Sequence, residues 1–230
     1  MKDPALLEKK LGLAFIDRGL LMEALTHRSF LNENRGWPYP HNERIEFLGD
    51  AVIEMVVTQY LFETYPDRTE GDMTAVRVAL VNGQMLAEVS RGLGIEEFIF
   101  MSQGELKDTG RARTYILCAA FEALLGALYM DQGWKAVQAF LKRVLLSRTE
   151  GLIDAGAHRD PKSAFQAKAQ EQYQTTPTYR VLEETGPDHD KHFVCGAFIG
   201  EELVAKGRGA KKQEAETDAA KQALKVKGWS

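Results

Sequence analysis

Four carboxylates recur at helical spacing in one stretch of the chain, HNERIEFLGDAVIEMVV, from His41 to Val57. At 3.6 residues per turn, Glu43, Glu46, Asp50 and Glu54 share a narrow arc, while Ile45, Leu48, Val52 and Val56 point roughly the other way. Gly49 lies beside the apolar face, where a missing side chain lets another element come close. A solvated helix face is the ordinary meaning of such acids. Solvated faces, however, mix signs to gain Glu–Lys pairs, and this one carries only Arg44. Stacked carboxylates repel one another, and a divalent cation relieves the repulsion. Oxygen-only ligands suit Mg²⁺ or Mn²⁺.

A second acid stands out by its surroundings. Glu122 is nearly alone as a charge within ILCAAFEALLGALYMD, and a buried carboxylate is costly without a partner. It either meets an Arg or a helix end, or it joins the 43–54 face and closes a metal site. Glu70, beside Gly71 and Asp72, is a further candidate, although its spacing suits an ordinary loop acid. A carboxylate-held divalent ion suits phosphodiester hydrolysis, because it polarises a phosphoryl oxygen and activates a bound water. No Ser-His-Asp or Cys-His arrangement presents itself. His27 and His41 lie near the acidic helix in sequence and read as structural hydrogen-bonding residues.

The elements that must position these acids are helical. Residues 4–22 give two short helical patterns. LTHRSF at 25–30 leads into an Asn-, Gly- and Pro-containing loop, and Asn42 is placed to cap the acidic helix. That helix runs past Phe62 to the break at Pro66 and Gly71. Met73 to Gly92 reads as one helix, Tyr115 to Asp131 as a strongly apolar one, and Trp134 to Arg148 as a final amphipathic one. Residues 1–150 show no strand alternation, which predicts an all-α domain. Residues 151–159 read as a flexible linker. From residue 160 to 228 the pattern changes to α-β-β-β-α: a helix over Pro161–Tyr173, strands over 178–184, 192–199 and 202–207, and a helix over 210–227. The expected fold is therefore multidomain, all-α followed by a small α+β domain with an antiparallel sheet.

Composition bounds the partners. With 44% apolar and 27% charged residues, the chain is of globular type, and no apolar run approaches a membrane span. The absence of a secretory pattern and the two separated cysteines, Cys118 and Cys195, predict free thiols and a cytoplasmic setting. The net charge of −4 does not announce a nucleic-acid binder, so phosphate contacts must come from local placement. Candidates for such placement are Gln166 and Gln170, one turn apart on one helix; His189 and Lys191 in a strand loop; and Lys211 and Lys212 at a helix start, where backbone N–H groups add to the cations. Three such elements can meet an RNA duplex at two minor grooves and the phosphates between them.

These blocks together resemble bacterial ribonuclease III. NERIEFLGDAV at 42–52 is similar to its signature, and LTHRSF before it and EGDMTAVRVALV, GELK and FEALLGALYMD after it are similar to further blocks in the family's order. Residues 160–228 resemble its double-stranded-RNA-binding domain, through DPKSAFQ, PTYRVLEETGPDH and GAKKQEAETDAAKQAL. The resemblance implies an endoribonuclease that works as a homodimer and cuts each strand of dsRNA to leave 5′-phosphate and 3′-hydroxyl ends, as in rRNA and mRNA precursor processing. It implies Glu46, Asp50 and Glu122 as metal ligands, Glu43 and Glu70 as supporting acids, and Gln166, Gln170, His189, Lys211 and Lys212 as RNA contacts. One position departs. The family pattern has an Asp three residues before the position of Glu122, and this chain has Ala119. The remaining acids either hold Mg²⁺ more weakly, or hydrolysis is crippled and the chain acts as a dsRNA-binding protein.

Overall fold

The computed structural model of the chain describes residues 3–107, 110–154, 161–187 and 191–229. The chain divides into two compact units, Met1–His158 and Arg159–Ser230. In the first unit the described residues form helices α1 (Pro4–Leu11), α2 (Arg18–Ala24), α3 (Arg28–Glu33), α4 (Glu43–Thr64), α5 (Glu70–Val81), α6 (Gly83–Gly92), α7 (Gln103–Lys107), α8 (Arg111–Gln132), α9 (Trp134–Val144) and α10 (Thr149–Asp154). No strand occurs among its described residues, only an isolated bridge between Thr26 and Phe100. The all-α expectation holds.

Side-chain caps set several of the breaks. Asp3, Asp17 and Thr69 accept from the first-turn N–H groups of Ala5, Gly19 and Asp72. The single helix expected over Met73–Gly92 is two helices. Asn82 turns out to an extended conformation, and its Oδ1 accepts from Met85 N at 3.0 Å, restarting the chain as α6. Asn42 holds the cap position of α4 but makes no side-chain cap. It is buried instead, and its Nδ2 donates to the Ala24 carbonyl at 3.4 Å, tying α4 to the end of α2. The final helix expected to reach Arg148 stops at Val144, and α10 follows it. The first residues of the expected linker are thus helical, because Leu152 and Ile153 pack on the main core. Residues 155–159 of that linker lie outside the described residues.

α8 forms the centre of the first unit. From Ile116 to Leu128 nearly every residue is buried, with α2, α4, α6 and α9 around it. By length and composition this helix would also suit a membrane span, contrary to the expectation that no apolar run approaches one; most of it is buried in the core. Two glycines let α4 and α8 touch through their backbones. A Cβ on Gly49 would land on the Glu122 carbonyl, and one on Gly126 would land on the Ile45 carbonyl. That contact fixes Glu122 beside the acidic face of α4. Gly49→Ala is therefore expected to destabilise the first unit by about 3 kcal/mol, since neither backbone can yield cheaply. Gly71→Ala in α5, where a Cβ would meet only Thr69 Oγ1 at an ordinary 3.9 Å, is expected to be neutral or to stabilise by up to about 1 kcal/mol. Urea denaturation of the two variants reads the difference.

The second unit comprises α11 (Pro161–Tyr173), β1 (Thr178–Thr185), β2 (His192–Ile199), β3 (Glu202–Gly209) and α12 (Lys212–Lys227). The strands pair antiparallel in the order β1-β2-β3. β1 and β3 run slightly longer than expected, and α12 starts two residues later. Both helices pack on one face through Phe165, Ala169, Ala197, Ile199 and the small-residue stripe Ala219, Ala220 and Ala223. Gly207 allows this, because a Cβ there would strike the backbone of Ala219.

Candidate active site

The four acids of α4 have separate fates. Glu43 accepts from Arg28 Nη1 at 3.1 Å and lies 3.7 Å from His41 Nδ1. Glu54 pairs with Arg77 Nε at 3.1 Å, so it is a structural ion pair between α4 and α5. Glu46 and Asp50 remain, one turn apart. Among the described residues no Lys or Arg forms an ion pair with Glu46, Asp50 or Glu122. Glu122 meets a thiol instead: Cys118 Sγ donates to its Oε1 at 3.4 Å.

The electrostatics follow from that arrangement. Burial pushes the Glu122 carboxyl up to about 7, and the charges of Asp50 and Glu46 push the same way against the Cys118 hydrogen bond. Glu46 is raised by burial and by Glu43 and Asp50. Burial and the same acids, Glu122 foremost among them, carry the Cys118 thiol up to about 12, so it stays protonated. Carboxylates from two helices thus share one region of negative potential. Among the described residues, no three His, Cys, Asp or Glu side chains converge closely enough to enclose an ion as they stand. The donors fit a hard divalent cation by chemistry and by uncompensated charge, while a finished coordination shell is not preformed.

Ala119 helps to explain the open shell. It is buried, at 4% exposure, yet it stands apart from the apolar cluster that Leu117, Ala120 and Phe121 join. A methyl group occupies the α8 position one turn before Glu122, where a ligand is expected. The titration of Glu122 has a measurable consequence. A cation must displace the proton that Glu122 holds below about pH 7. Divalent-ion affinity is expected to rise about tenfold per pH unit up to neutrality and then level off, with one proton released per ion. Calorimetric titration in buffers of different ionisation enthalpy measures both.

Glu70 does not belong to this cluster. It begins α5, accepts from Thr74 Oγ1 at 3.1 Å, and lines a cleft with Thr58, Leu61, Phe62, Met73 and Arg77. The charges that raise Glu46 and Glu122 do not include it. His27 is structural, as expected: its Nδ1 accepts from Ser29 N at the start of α3. Cys118, expected only as a free thiol, and Tyr115 lie four and seven residues before Glu122 and were not among the expected site residues. Their helical spacing from Glu122 was the available signal.

In the second unit Gln166 and Gln170 are exposed on α11, each directly following a buried residue, Phe165 or Ala169. Lys211 and Lys212 are exposed at the start of α12, where no side chain caps the helix. Lys212 Nζ lies over the Phe193 ring and 3.8 Å from Glu184. Glu184 also accepts from Lys191 at 3.0 Å. His189 lies outside the described residues. The glutamines lie on α11 and the lysines at the start of α12.

A helical unit with an unbalanced carboxylate cluster, followed by an α-β-β-β-α unit with lysines at a helix start, defines a nuclease joined to an RNA-binding module. Comparison with known proteins agrees. Residues 17–149 match the ribonuclease-III-like family model, and residues 161–227 match the double-stranded RNA binding motif. Ribonuclease 3 of Desulforamulus reducens is 42% identical over 95% of this chain and 89% of its own length. Ribonuclease 3 of Nitratiruptor sp. is 40% identical over 98% of this chain and 97% of its own. The crystal structure of the nuclease domain of ribonuclease III from Campylobacter jejuni superposes with a TM-score of 0.57 at 37% identity, covering 64% of this chain and 97% of that one. The chain belongs to the ribonuclease III family, as an endoribonuclease with a double-stranded-RNA-binding domain.

Proposed function

We propose that the chain hydrolyses phosphodiester bonds of double-stranded RNA with Mg²⁺, for which Mn²⁺ can substitute, leaving 5′-phosphate and 3′-hydroxyl ends. The observation that carries this is the unbalanced grouping of Glu46, Asp50 and Glu122 on two helices locked together at Gly49 and Gly126. Those three acids would hold the ion, with Glu43 supporting them from the first turn of α4 and Glu70 acting from its separate cleft. When bound, the ion supplies a polarised phosphoryl oxygen and an activated water. The chain's own part is to place the acids together; burial and the neighbouring acids hold a proton on Glu122 up to about pH 7, and above that it is ionised and open to a cation. Incubation of the full chain with long duplex RNA, with Mg²⁺, Mn²⁺ or EDTA, tests it, with end groups read by phosphatase-dependent labelling. Binding without cutting in either metal would sink the hydrolase reading.

That failure would favour a second reading, which Ala119 motivates: a dsRNA-binding protein whose nuclease site is impaired. Both readings place the duplex on the second unit, through Gln166, Gln170, His189, Lys211 and Lys212. Lys211→Ala with Lys212→Ala is expected to weaken binding uniformly across sequences and to lower the salt-dependence slope by about one to two. Fluorescence anisotropy at several salt concentrations measures it.

The same reading includes a homodimer through the first unit. Its support is a stripe of exposed apolar side chains on α4, Phe47, Met55 and Phe62, and a Campylobacter jejuni relative whose nuclease domain is described by a region involved in dimer formation. Processing of rRNA and mRNA precursors in the cytoplasm completes the proposal. Two unpaired cysteines are in keeping with that setting.

A further inference from the structure

One aromatic side chain at the rim of the carboxylate cluster has no structural employment. Tyr115 is 66% exposed on α8, although the next two residues, Ile116 and Leu117, are buried in the core. It belongs to none of the apolar clusters, and it makes no hydrogen bond or ring contact with another described residue. Exposed aromatics are common on protein surfaces and by themselves mean nothing. The position of this one is what matters. At helical spacing Tyr115, Cys118, Ala119 and Glu122 follow one another along one side of α8. The carboxylates that act on the Tyr115 phenol are Glu46, Glu122 and Glu43, from α8 itself and from the facing helix α4.

We propose that Tyr115 is a substrate-contacting residue of this site, its phenol O–H donating to a backbone oxygen of the RNA strand that enters the carboxylate cluster. The proposal rests on the dsRNA reading above. The physical argument concerns charge. A duplex brought to this cluster places phosphates beside acids, so a donor there aids approach. A Lys or Arg at the rim would pair with Glu46 or Glu122 and cancel the charge that attracts the cation. A phenol donates a hydrogen bond without carrying charge, and tyrosine hydroxyls contact phosphate and sugar oxygens in nucleic-acid complexes. The neighbouring acids, Glu46 foremost, keep its proton in place. Because the side chain is exposed and contributes nothing to the core, its removal leaves the fold unchanged.

The test uses the full chain and a short RNA duplex. Tyr115→Phe keeps the ring and removes only the hydroxyl; Tyr115→Ala removes both. Both variants are expected to unfold at the wild-type temperature. Tyr115→Phe is expected to lower kcat/KM for duplex cleavage about tenfold, as for one lost hydrogen bond to a charged or polar backbone oxygen. A 2′-deoxy substitution in the duplex distinguishes the two acceptors: the variant's defect disappears with it if the ribose hydroxyl is the partner, and persists if phosphate is. Hydroxyl-radical footprinting with mass spectrometry is expected to show Tyr115 protected when duplex binds. Wild-type cleavage with an unimpaired Tyr115→Phe variant, or Tyr115 equally reactive with and without duplex, overturns the proposal. If the wild-type chain binds duplex and never cuts it, the hydrolase reading falls, and the footprint alone decides whether Tyr115 meets RNA.

Discussion

Glu122→Gln is expected to reduce dsRNA cleavage by roughly a thousand-fold, corresponding to about 4 kcal/mol of transition-state stabilisation. The substitution keeps the size of the side chain and a hydrogen-bonding oxygen for Cys118. It removes the negative charge that α8 presents to Glu46 and Asp50. Duplex affinity, which belongs to the second unit, is expected to stay within twofold. The two effects separate in single-turnover cleavage and anisotropy measurements on the same preparation. A variant that cuts at even a tenth of the wild-type rate would place the ion elsewhere.

The same variant carries a stability signature of known sign. Glu122 is raised to about 7 in the folded chain, mainly by burial, against an ordinary value of 4.5. The folded state therefore binds the proton more tightly than the unfolded one. Its stabilising contribution is complete below about pH 4.5 and is lost as the pH rises through about 7. Without metal, the wild-type chain is expected to lose stability across that window, and Glu122→Gln is expected to lose less. Thermal unfolding in EDTA at pH 5 and pH 8 makes the comparison. A divalent ion should reverse the wild-type loss at pH 8, because it binds the ionised form.

The acidic helix was legible because its signals agree. Acids at i and i+4 fix one face, apolar residues fix the other, and Pro66 ends the run soon after Thr64. The α-β-β-β-α order of the second unit was legible because turn residues separate three strand-like stretches between two helical ones. The break at Asn82 was not, since only a folded backbone reveals that its side chain accepts from Met85 N. Asn42 misled in the opposite direction: its type suits a cap, but tertiary contact with Ala24 claims its amide. Leu152 and Ile153 drew α10 out of the expected linker through core contacts that no local pattern encodes.

The site shows the same division. Gly49 marked a close approach in the sequence without saying by what. The structure supplies Glu122 and Gly126, and so joins two acidic elements that lie more than seventy residues apart in the chain. The pairings of Glu43 with Arg28 and of Glu54 with Arg77 depend on how α3 and α5 pack, so four equivalent acids became two that are free of cations. Glu70 looked like a companion of the cluster by family pattern. In the structure Glu70 accepts from Thr74 at the start of α5 and is not among the charges that raise Glu46 and Glu122.

Ala119→Asp provides the converse of the Glu122 experiment, a gain in place of a loss. The new carboxylate would enter a buried position one turn from Glu122 on α8, beside two further acids on α4. Without a cation, a fourth charge there is opposed by burial and by its neighbours, and the metal-free chain is expected to lose about 1–3 kcal/mol of stability at pH 8. With a cation, the same charge completes the donor set. Mn²⁺ affinity is expected to rise by about ten- to a hundredfold, and cleavage at limiting metal by a similar factor. Calorimetric titration and unfolding curves with and without Mn²⁺ test both sides of the prediction. Destabilisation with no gain in ion affinity would mean that the Ala119 methyl does not border the ion site. A gain in affinity with unchanged cleavage would mean that the wild-type shell, completed by water in place of Asp, is already sufficient for hydrolysis at saturating metal.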